Sequence, residues 1–333
     1  MFLNAELFDH QRGASNVGYK KIEFGSLILS TQNLHLGNAN VNLRFQHGIV
    51  SPAYKTYKIV GCNPQLLGQW VKTESAKKFF YDATTVGASL CRRNVEWDTL
   101  YSQLLSLPCA NEQEKISAFL TILSDRIAAQ HRLVELLKKH KRGLLREVFE
   151  ECAEGDRRAF CEIASRRTEK ISPSNDSTLD CIELEHIEPD TGLILGSVPL
   201  REQSSLKNRC CPKDIIFGKL RPYLRKFVFA ESDCAASSET WVLTAASGIN
   251  PRFLFYLIQS EPFMRVANIS SGTKMPRSEW PNVANAQFAI PSQSRQQTIA
   301  DCFTAIDMRI QDAQKTFLAM QAYKRGLLQQ LFV

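Results

Sequence analysis

The sequence has no long run of apolar residues: no stretch approaches the roughly 18 that a membrane-spanning helix needs. Its first residues, MFLNAELFDHQRGASN, show no basic segment followed by an apolar one, which is the pattern of a secretion signal. These absences predict a cytoplasmic protein without a membrane partner.

Metal-ligand patterns are also missing. The 10 cysteines are scattered, with no CxxC pair and no histidine at zinc-finger spacing. We therefore expect no metal site, and reduced, mostly buried thiols.

Motifs for catalysis are missing as well. A methyltransferase acting on exocyclic amines needs a glycine-rich cofactor loop and an Asn/Asp-Pro-Pro-aromatic turn, and neither occurs. No GxxxxGK[ST] phosphate loop occurs. Asp214 precedes Lys219 in DIIFGK, but no second carboxylate follows at the spacing of a metal-dependent nuclease. The dispersed histidines pair with no nucleophile and orienting acid. The sequence predicts a chain without catalytic residues or a cofactor of its own.

The composition indicates a globular protein with a surplus of positive charge. The chain has 333 residues, 44% of them apolar, which allows about two domains with real cores. Lys and Arg number 41 against 34 Asp and Glu, for a net charge of +7. Such a protein is drawn to a polyanion, so nucleic acid is a candidate partner.

One basic phrase occurs twice. KKHKRGLLREVF (138–149) and QAYKRGLLQQLF (321–332) are related by a shift of 183 residues, from Gly143 to Gly326. The same shift carries Glu96-Trp97 onto Glu279-Trp280. The chain therefore contains two copies of one unit, of which the first lacks a counterpart of roughly 153–186. The repeated glycines permit either a close approach between helices or a bend.

Each copy ends in a pattern typical of a long helix with a coiled-coil seam, because apolar residues alternate at spacings of four and three. Asn111, Ser292 and Ser294 are candidate N-caps. We expect the two helices to pair antiparallel. The seam residues are Ile116, Leu120, Leu123, Ile127, Val134, Leu137, Ile299, Phe303, Ile306, Ile310, Phe317 and Met320.

The remaining sequence mixes strand and helix patterns, so the predicted fold is α+β with an internal repeat. DIIFGKLRPYLRKFVFAE indicates two strands joined at Arg221-Pro222, and SETWVLTA another strand. NPRFLFYLIQSEPFMRVAN indicates one helix capped by Asn250. We expect a first mixed α/β domain at 1–110, a helix at 111–152, a second domain at 153–291 and a helix at 292–333.

Basic residues concentrate in two loop regions of this repeat. The candidate nucleic-acid contacts are Lys219, Arg221, Tyr223, Arg225 and Lys226 in the predicted hairpin, Lys274 and Arg277 in SSGTKMPRSEW, and Arg92 and Arg93 in its counterpart. Long cationic side chains beside an aromatic ring can neutralise phosphates and reach base edges. A merely solvated charged face is the alternative for any single residue.

Five segments in this order resemble the DNA-specificity subunit of type I restriction–modification enzymes. They are GIVSPAY (48–54), DIIFGKLRPYLRKFVFAE (214–231), SSGTKMPRSEW (270–280), FAIPSQSRQQTIADCFTAID (288–307) and KRGLLQQLF (324–332). The resemblance covers nearly the whole chain.

The resemblance implies two target-recognition domains, each reading one half of a split site in double-stranded DNA, and two antiparallel helices that act as a ruler. It also implies two methylation subunits that grip the helices, and restriction/translocase subunits in the full enzyme. S-adenosylmethionine, ATP and Mg²⁺ would then lie on those partners. The shortened first domain departs from the family, which puts its recognition of DNA in question.

Two other classes of protein remain open. One is a nuclease or methyltransferase built on the same recognition fold, and the absence of a catalytic constellation counts against it. The other is a helical scaffold, which would not explain the basic loops.

Overall fold

The computed structural model describes residues 18–89, 92–151, 156–174, 177–270 and 275–332. These residues form two compact units. Unit 1 contains the described residues up to Ala129 together with those from Phe317 onward, and unit 2 is Gln130–Thr316. Each unit therefore combines a globular domain with a part of each of two long helices.

Unit 1 pairs its strands antiparallel. Its strands are β1 (Lys20–Glu23), β2 (Ser26–Ser30), β3 (Ala39–Val41), β4 (His47–Val50), β5 (Tyr54–Lys58), β6 (Thr84–Ser89) and β7 (Arg92–Val95). Its helices are α1 (Pro64–Trp70), α2 (Glu74–Asp82), α3 (Trp97–Ser102) and the first part of α4 (Ala110–Glu151). Strand β1 pairs with β4, β6 pairs with β7, and β2 lies between β3 and β5.

Unit 2 contains larger sheets. Its strands are β8 (Asp156–Ala159), β9 (Ala164–Arg166), β10 (Lys170–Ile171), β11 (Asp180–Ile182), β12 (Val198–Pro199), β13 (Lys207–Cys210), β14 (Ile215–Gly218), β15 (Phe227–Phe229), β16 (Cys234–Ala236), β17 (Thr240–Ala245) and β18 (Gln287–Ile290). Its helices are α5 (Phe160–Ile163), α6 (Pro251–Leu257), α7 (Glu261–Ala267), α8 (Trp280–Ala284) and most of α9 (Gln293–Leu331). The sheet orders are β10-β13-β16-β11-β12 and β15-β14-β17-β9, and β18 pairs with β8.

The strand registers of the two units repeat. In unit 1, Ile28 lies opposite Thr56, and in unit 2, Ile215 lies opposite Leu243. Both residue numbers of the second pair are 187 higher than those of the first pair. The internal duplication is therefore present in the backbone pairing as well as in the sequence.

Residues 156–182 supply further strands to unit 2. Strand β9 pairs with β17, and β11 runs parallel beside β16. In the described part of unit 1, the corresponding strands β5 and β4 each have a single neighbour.

The two long helices confirm the predicted α+β fold, with corrections at their starts. Helix α9 begins after Ser292, whose Oγ accepts from Arg295 N at 3.4 Å, so this predicted cap is confirmed. Asn111 and Ser294 lie inside the helices, so their predicted caps are wrong. Glu112 instead reaches back to Cys109 N at 3.0 Å.

The helices contact each other within each unit. In unit 2, Gln130 Nε2 donates to Ala313 O at 2.9 Å, and Lys141 Nζ lies 2.7 Å from Asp307 Oδ1, so the helices run antiparallel there. In unit 1, Lys324 Nζ donates to Ser124 Oγ at 2.8 Å.

All of the predicted seam residues are buried or half-buried. Buried are Leu120, Leu123, Val134, Ile299, Phe303 and Ile310, and half-buried are Ile116, Ile127, Leu137, Ile306, Phe317 and Met320. The side chains of Ile299 and Phe303 also belong to the core of the unit 2 globular domain. The apolar stripe therefore attaches a helix to its domain, and its coiled-coil packing stays a prediction.

The two repeated glycines are not needed for a close approach. A Cβ atom added at Gly143 or at Gly326 would meet no atom within 4 Å. Both lie within continuous helices.

Two further expectations need correction. NPRFLFYLIQSEPFMRVAN forms two helices, α6 and α7, because Pro262 has no N–H to continue the ladder from Ile258. The predicted cap at Asn250 is confirmed, since its side chain accepts from the backbone of Arg252 and Phe253. The cysteines of the described residues are free, as expected, but the expectation that most are buried is wrong: Cys181, Cys210 and Cys234 are buried, whereas Cys109, Cys161 and Cys302 are exposed.

Candidate nucleic-acid interface

The basic hairpin of unit 2 is built as the sequence predicts. Strands β14 and β15 pair antiparallel, and a short 3-10 helix, Pro222–Leu224, forms the turn between them. The strands are buried, so the turn projects from a rigid base. We call residues 219–226 the recognition turn.

The recognition turn holds an unusual backbone. Among the described residues, the non-glycine residues with positive φ are Asp190, Lys213, Arg221 and Arg225. Arg221 and Arg225 flank the 3-10 helix, and Asp190 N donates to Arg225 O at 3.0 Å. Such left-handed residues cost of order 1 kcal/mol each, and they concentrate at functional sites. Three of the four meet here, which marks the turn as a candidate site.

The recognition turn is hydrogen-bonded to a second loop, which contains Pro276 and Ser278. Arg221 N donates to Pro276 O at 2.7 Å, and Ser278 N donates to Lys219 O at 2.8 Å. These bonds bring the two basic loops of unit 2 together, as one surface.

Two candidates lie at the tip of this surface. Arg221 is exposed, and the Tyr223 side chain is 55% exposed beside it. Neither Arg221 nor the half-buried Lys219 forms an ion pair with the described residues. The charge of Arg221 is therefore available to a polyanion, and Lys219 lies beside it without a direct ion pair.

Arg277 is paired with an acid that the sequence did not indicate. Its Nε and Nη2 donate to the Glu239 carboxylate at 3.0 and 3.1 Å. This bidentate pair lowers the pKa of Glu239, and the charge of Lys219 contributes in the same direction. Arg277 is still about half exposed, so it lies on the surface with part of its charge neutralised.

Arg225 and Lys226 are turned inward. Arg225 is half-buried, and its guanidinium bonds Asp190 and the Gln259 carbonyl and lies 3.6 Å from Glu261. Lys226 Nζ donates to Leu184 O at 2.6 Å. Their roles as DNA contacts stay predictions.

Three candidates remain, Lys274, Arg92 and Arg93. Lys274 is outside the described residues. Arg92 begins β7 in unit 1, and the described residues do not include its side chain. The Arg93 guanidinium stacks 4.0 Å from the Tyr81 ring centre and donates to Thr84 Oγ1 and O, each at 2.7 Å.

The turn of unit 1 that corresponds to the recognition turn carries no lysine or arginine. Residues 31–38 connect β2 to β3 through a 3-10 helix, Leu34–Leu36, that ends at Gly37. The segment reads TQNLHLGN. The two units thus share the turn geometry and differ in its charge.

Sequence reasoning missed the acids and amides behind the turn. Asp190, Glu239 and Gln259 each lie more than 10 residues from their arginine partners and carry no local motif. The one available signal was that a non-glycine residue follows Leu224 where the first copy has Gly37.

Potential metal-ligating side chains are scattered through the residues that the structure describes. No group of three His, Cys, Asp or Glu side chains comes together there in a way that could hold a metal ion. None of the helices in this part of the chain combines the length and the apolarity of a membrane span.

The fold is that of type I restriction–modification specificity subunits. The S subunit of the system from M. genitalium is similar with a TM-score of 0.53 at 13% identity, over 94% of this chain and 84% of that one. A chain from a structural study of complex assembly and conformational transition in the type I system is similar with a TM-score of 0.58 at 16% identity, over 96% of this chain and 84% of that one. No family model matches the chain. No curated protein matches it either.

Proposed function

We propose that this chain is the DNA-specificity subunit of a type I restriction–modification system, acting in the cytoplasm without catalysis of its own. The observation that carries the proposal is a strained, cationic turn on a rigid hairpin, in a chain with the fold of such subunits. Type I specificity subunits do not themselves catalyse methyl transfer or DNA cleavage. This fits a chain whose sequence shows no catalytic motif.

In this proposal residues 1–110 and 153–291 are target-recognition domains, and 111–152 and 292–333 are spacer helices. Each domain reads one half of a split target in double-stranded DNA. In the proposed complex Lys219 and Arg221 contact phosphates, and the exposed Tyr223 enters the groove. The second domain contributes more phosphate contacts than the first, since the corresponding turn of unit 1 has no lysine or arginine.

The test is the salt dependence of DNA binding. A side chain that neutralises one phosphate contributes about 0.9 to the log–log slope of affinity against salt. The double variant Lys219→Ala/Arg221→Ala should therefore lower the slope by about 1.8 and weaken binding to every sequence.

Lys213→Ala is the matched control. Lys213 is an exposed lysine with positive φ at the other end of β14 from the recognition turn, so its substitution removes charge without touching that turn. A double variant that keeps the wild-type slope would place the DNA surface elsewhere.

We further propose that methylation subunits dock on the long helices. Phe119, Ile122, Leu133 and Leu136 of α4 are between 45% and 61% exposed. Phe119 and Ile122 lie three residues apart in the part of α4 that belongs to unit 1, and Leu133 and Leu136 lie three residues apart in the part that belongs to unit 2, so each unit presents one exposed apolar pair. Exposed apolar clusters of this kind mark protein–protein contacts.

Two methylation subunits would bring S-adenosylmethionine, and the restriction/translocase subunits would bring the ATP- and Mg²⁺-dependent activities. The variant Ile122→Glu/Leu136→Glu should abolish co-purification with the methylation subunits and leave the chain folded, because both side chains are exposed. Leu195→Glu, at an exposed leucine outside the long helices, is the control.

The proposal also predicts that the purified chain shows no methyl transfer, DNA cleavage or ATP hydrolysis. Turnover by a preparation free of partner subunits would favour the alternative, an enzyme built on the same recognition fold.

A further inference from the structure

Arg225 stands where the other copy of the unit has a glycine. In each unit a residue with a left-handed backbone directly follows the 3-10 helix. This residue is Gly37 with φ 81° in unit 1 and Arg225 with φ 52° in unit 2. The N–H of each bonds the carbonyl three residues back, at 2.9 Å to Leu34 and at 2.8 Å to Pro222. Glycine adopts this backbone freely, whereas arginine adopts it at a cost. An arginine at such a position indicates that its side chain is needed.

The Arg225 side chain is held by groups inside unit 2. Its Nε bonds the Asp190 carboxylate, and its Nη2 donates to Gln259 O at 2.6 Å. The backbone of Asp190 holds the same residue, because Asp190 N donates to Arg225 O at 3.0 Å. The end of the recognition turn is thus fixed at both its backbone and its side chain.

The same partners are held by helix α4. Lys141 Nζ donates to Gln259 Oε1 at 2.8 Å, and Gln259 is 1% exposed. Arg142 Nη1 lies 3.4 Å from Asp190 Oδ2. Two neighbouring cations of one helix therefore hold the two residues that grip Arg225.

The connection from α4 to Arg225 is short, and its branch through Lys141 and Gln259 is buried. From Lys141 it passes through one residue, Gln259, to Arg225, and from Arg142 it passes through Asp190 alone. Lys141 is 2% exposed and also lies 2.7 Å from Asp307 of α9. Satisfied polar networks of this kind rigidify the groups they join.

We propose that Arg225, with Lys141 and Arg142 behind it, is a positioning residue that clamps the recognition turn to helix α4 and so determines which bases the second domain prefers, without touching DNA itself. The inference rests on the proposed DNA-recognition function. It assigns to α4 a role in recognition besides partner docking: a shift of the helix is transmitted to the turn through Gln259 and Asp190.

The test compares base preference in the two halves of the target. The assembled methylation complex selects sites from a duplex DNA library in which both half-sites are randomised. Arg225→Gly should relax preference by about tenfold at one or more positions of one half-site only, which corresponds to the removal of one good base contact. The variant relieves the backbone cost but leaves Asp190 and the Gln259 carbonyl without this partner, so urea unfolding is measured alongside the selection to show that the variant is folded.

The salt slope separates positioning from phosphate contact. Arg225→Gly should keep the wild-type slope if Arg225 touches no phosphate, whereas Arg221→Ala should lower it by about 0.9. A slope lowered by that amount in Arg225→Gly would overturn the inference and make Arg225 a DNA contact.

The helix side of the clamp is tested with Arg142→Gln and Lys141→Met. Both should relax the same half-site as Arg225→Gly, and both should speed hydrogen exchange of the Leu224 and Arg225 amides in the absence of DNA. Arg142 is half exposed, so its variant should fold even if Lys141→Met does not. Lys324→Met, at the equivalent position of α9, is the matched control and should leave that half-site unchanged.

The failures can be told apart. If the wild-type complex selects a target sequence and the Arg225→Gly complex selects the same sequence with the same preference at every position, the inference is overturned and the DNA-specificity function stands. A wild-type complex that selects no sequence would overturn the proposed function and the inference with it.

Discussion

Units 1 and 2 share one three-strand arrangement, β3-β2-β5 in unit 1 and β15-β14-β17 in unit 2, and the polar contacts at the start of each long helix. They differ in the partner of the buried or half-buried lysine near the end of each long helix. In unit 1, Asn63 caps α1, and its N–H donates to Gln113 Oε1 at 2.7 Å. In unit 2, Asn250 caps α6, and its N–H donates to Gln296 Oε1 at 2.9 Å.

The two glutamines are equivalent in their remaining contacts. Gln113 Nε2 donates to Pro108 O at 2.9 Å, and Gln296 Nε2 donates to Pro291 O at 3.0 Å. Both glutamines are buried. The arrangement is retained because backbone groups in a buried position must find partners in either copy.

The repeated lysines differ. Lys141 of unit 2 has the carboxylate of Asp307, whereas Lys324 of unit 1 has the hydroxyl of Ser124. Burial lowers the pKa of both lysines, and Lys72 lowers that of Lys324 further, whereas Asp307 opposes the fall for Lys141. A buried cation needs a partner, but the partner need not be an anion. The comparison teaches that duplication preserved the backbone hydrogen bonds and let the electrostatics diverge.

The largest expected effect is at the buried pair of unit 2. Asp307→Asn keeps the shape and leaves Lys141 charged and buried, so it should lower the free energy of unfolding by about 3 kcal/mol. Ser124→Ala, at the equivalent position of unit 1, removes one neutral acceptor and should cost about 1 kcal/mol. Urea unfolding, with hydrogen exchange to assign the change to a unit, measures both.

The pH dependence of Asp307→Asn checks the cause. A lysine whose pKa is lower in the folded state than in the unfolded state makes folding more favourable as the pH rises between the two values. Removal of Asp307 lowers the folded pKa of Lys141 further, so the destabilisation should shrink with rising pH. A destabilisation that is constant with pH would mean that the charge of Lys141 is not the reason.

Equal effects are expected where the geometry is equal. Gln113→Ala and Gln296→Ala each leave the N–H of a half-buried Asn and a proline carbonyl without their partner, which costs about 1–3 kcal/mol. The two decreases in the free energy of unfolding should agree within about 0.5 kcal/mol when each is assigned to its own unit. A large difference would break the equivalence of the two helix starts.

A smaller gain is expected from making unit 1 resemble unit 2. Ser124→Asp places a carboxylate beside the half-buried Lys324, which should raise the free energy of unfolding of unit 1 by up to about 1 kcal/mol. The pKa of Lys324 should rise with it. Nuclear magnetic resonance of the lysine side chain reports the pKa, and no rise would show that the aspartate fails to reach the lysine.

The smallest effects are expected at the repeated glycines. Gly143→Ala and Gly326→Ala should each stabilise a helix by about 0.5–1 kcal/mol, because an added Cβ meets open space and alanine loses less conformational entropy. A destabilisation in the assembled complex but not in the isolated chain would indicate that a partner approaches the helix at that glycine.

Much of the architecture follows from local sequence. The caps at Asn250 and Ser292 depend on a side chain and the next turn, so short patterns predict them. The break between α6 and α7 was missed because the apolar periodicity continues across it, although Pro262 supplies a reason for it. The extra strands of unit 2 depend on pairing with distant strands such as β16 and β17, which no local pattern specifies.

The sequence by itself determined the duplication, the two long amphipathic helices and the basic hairpin, because periodicity, capping and turn residues act over a few positions along the chain. Only the tertiary structure decided which cations remain available. Arg225 meets Asp190 at a separation of 35 residues, and Arg277 meets Glu239 at 38. An ion pair depends on where distant segments are brought together, and that placement left Arg221 exposed while it turned Arg225 towards helix α4.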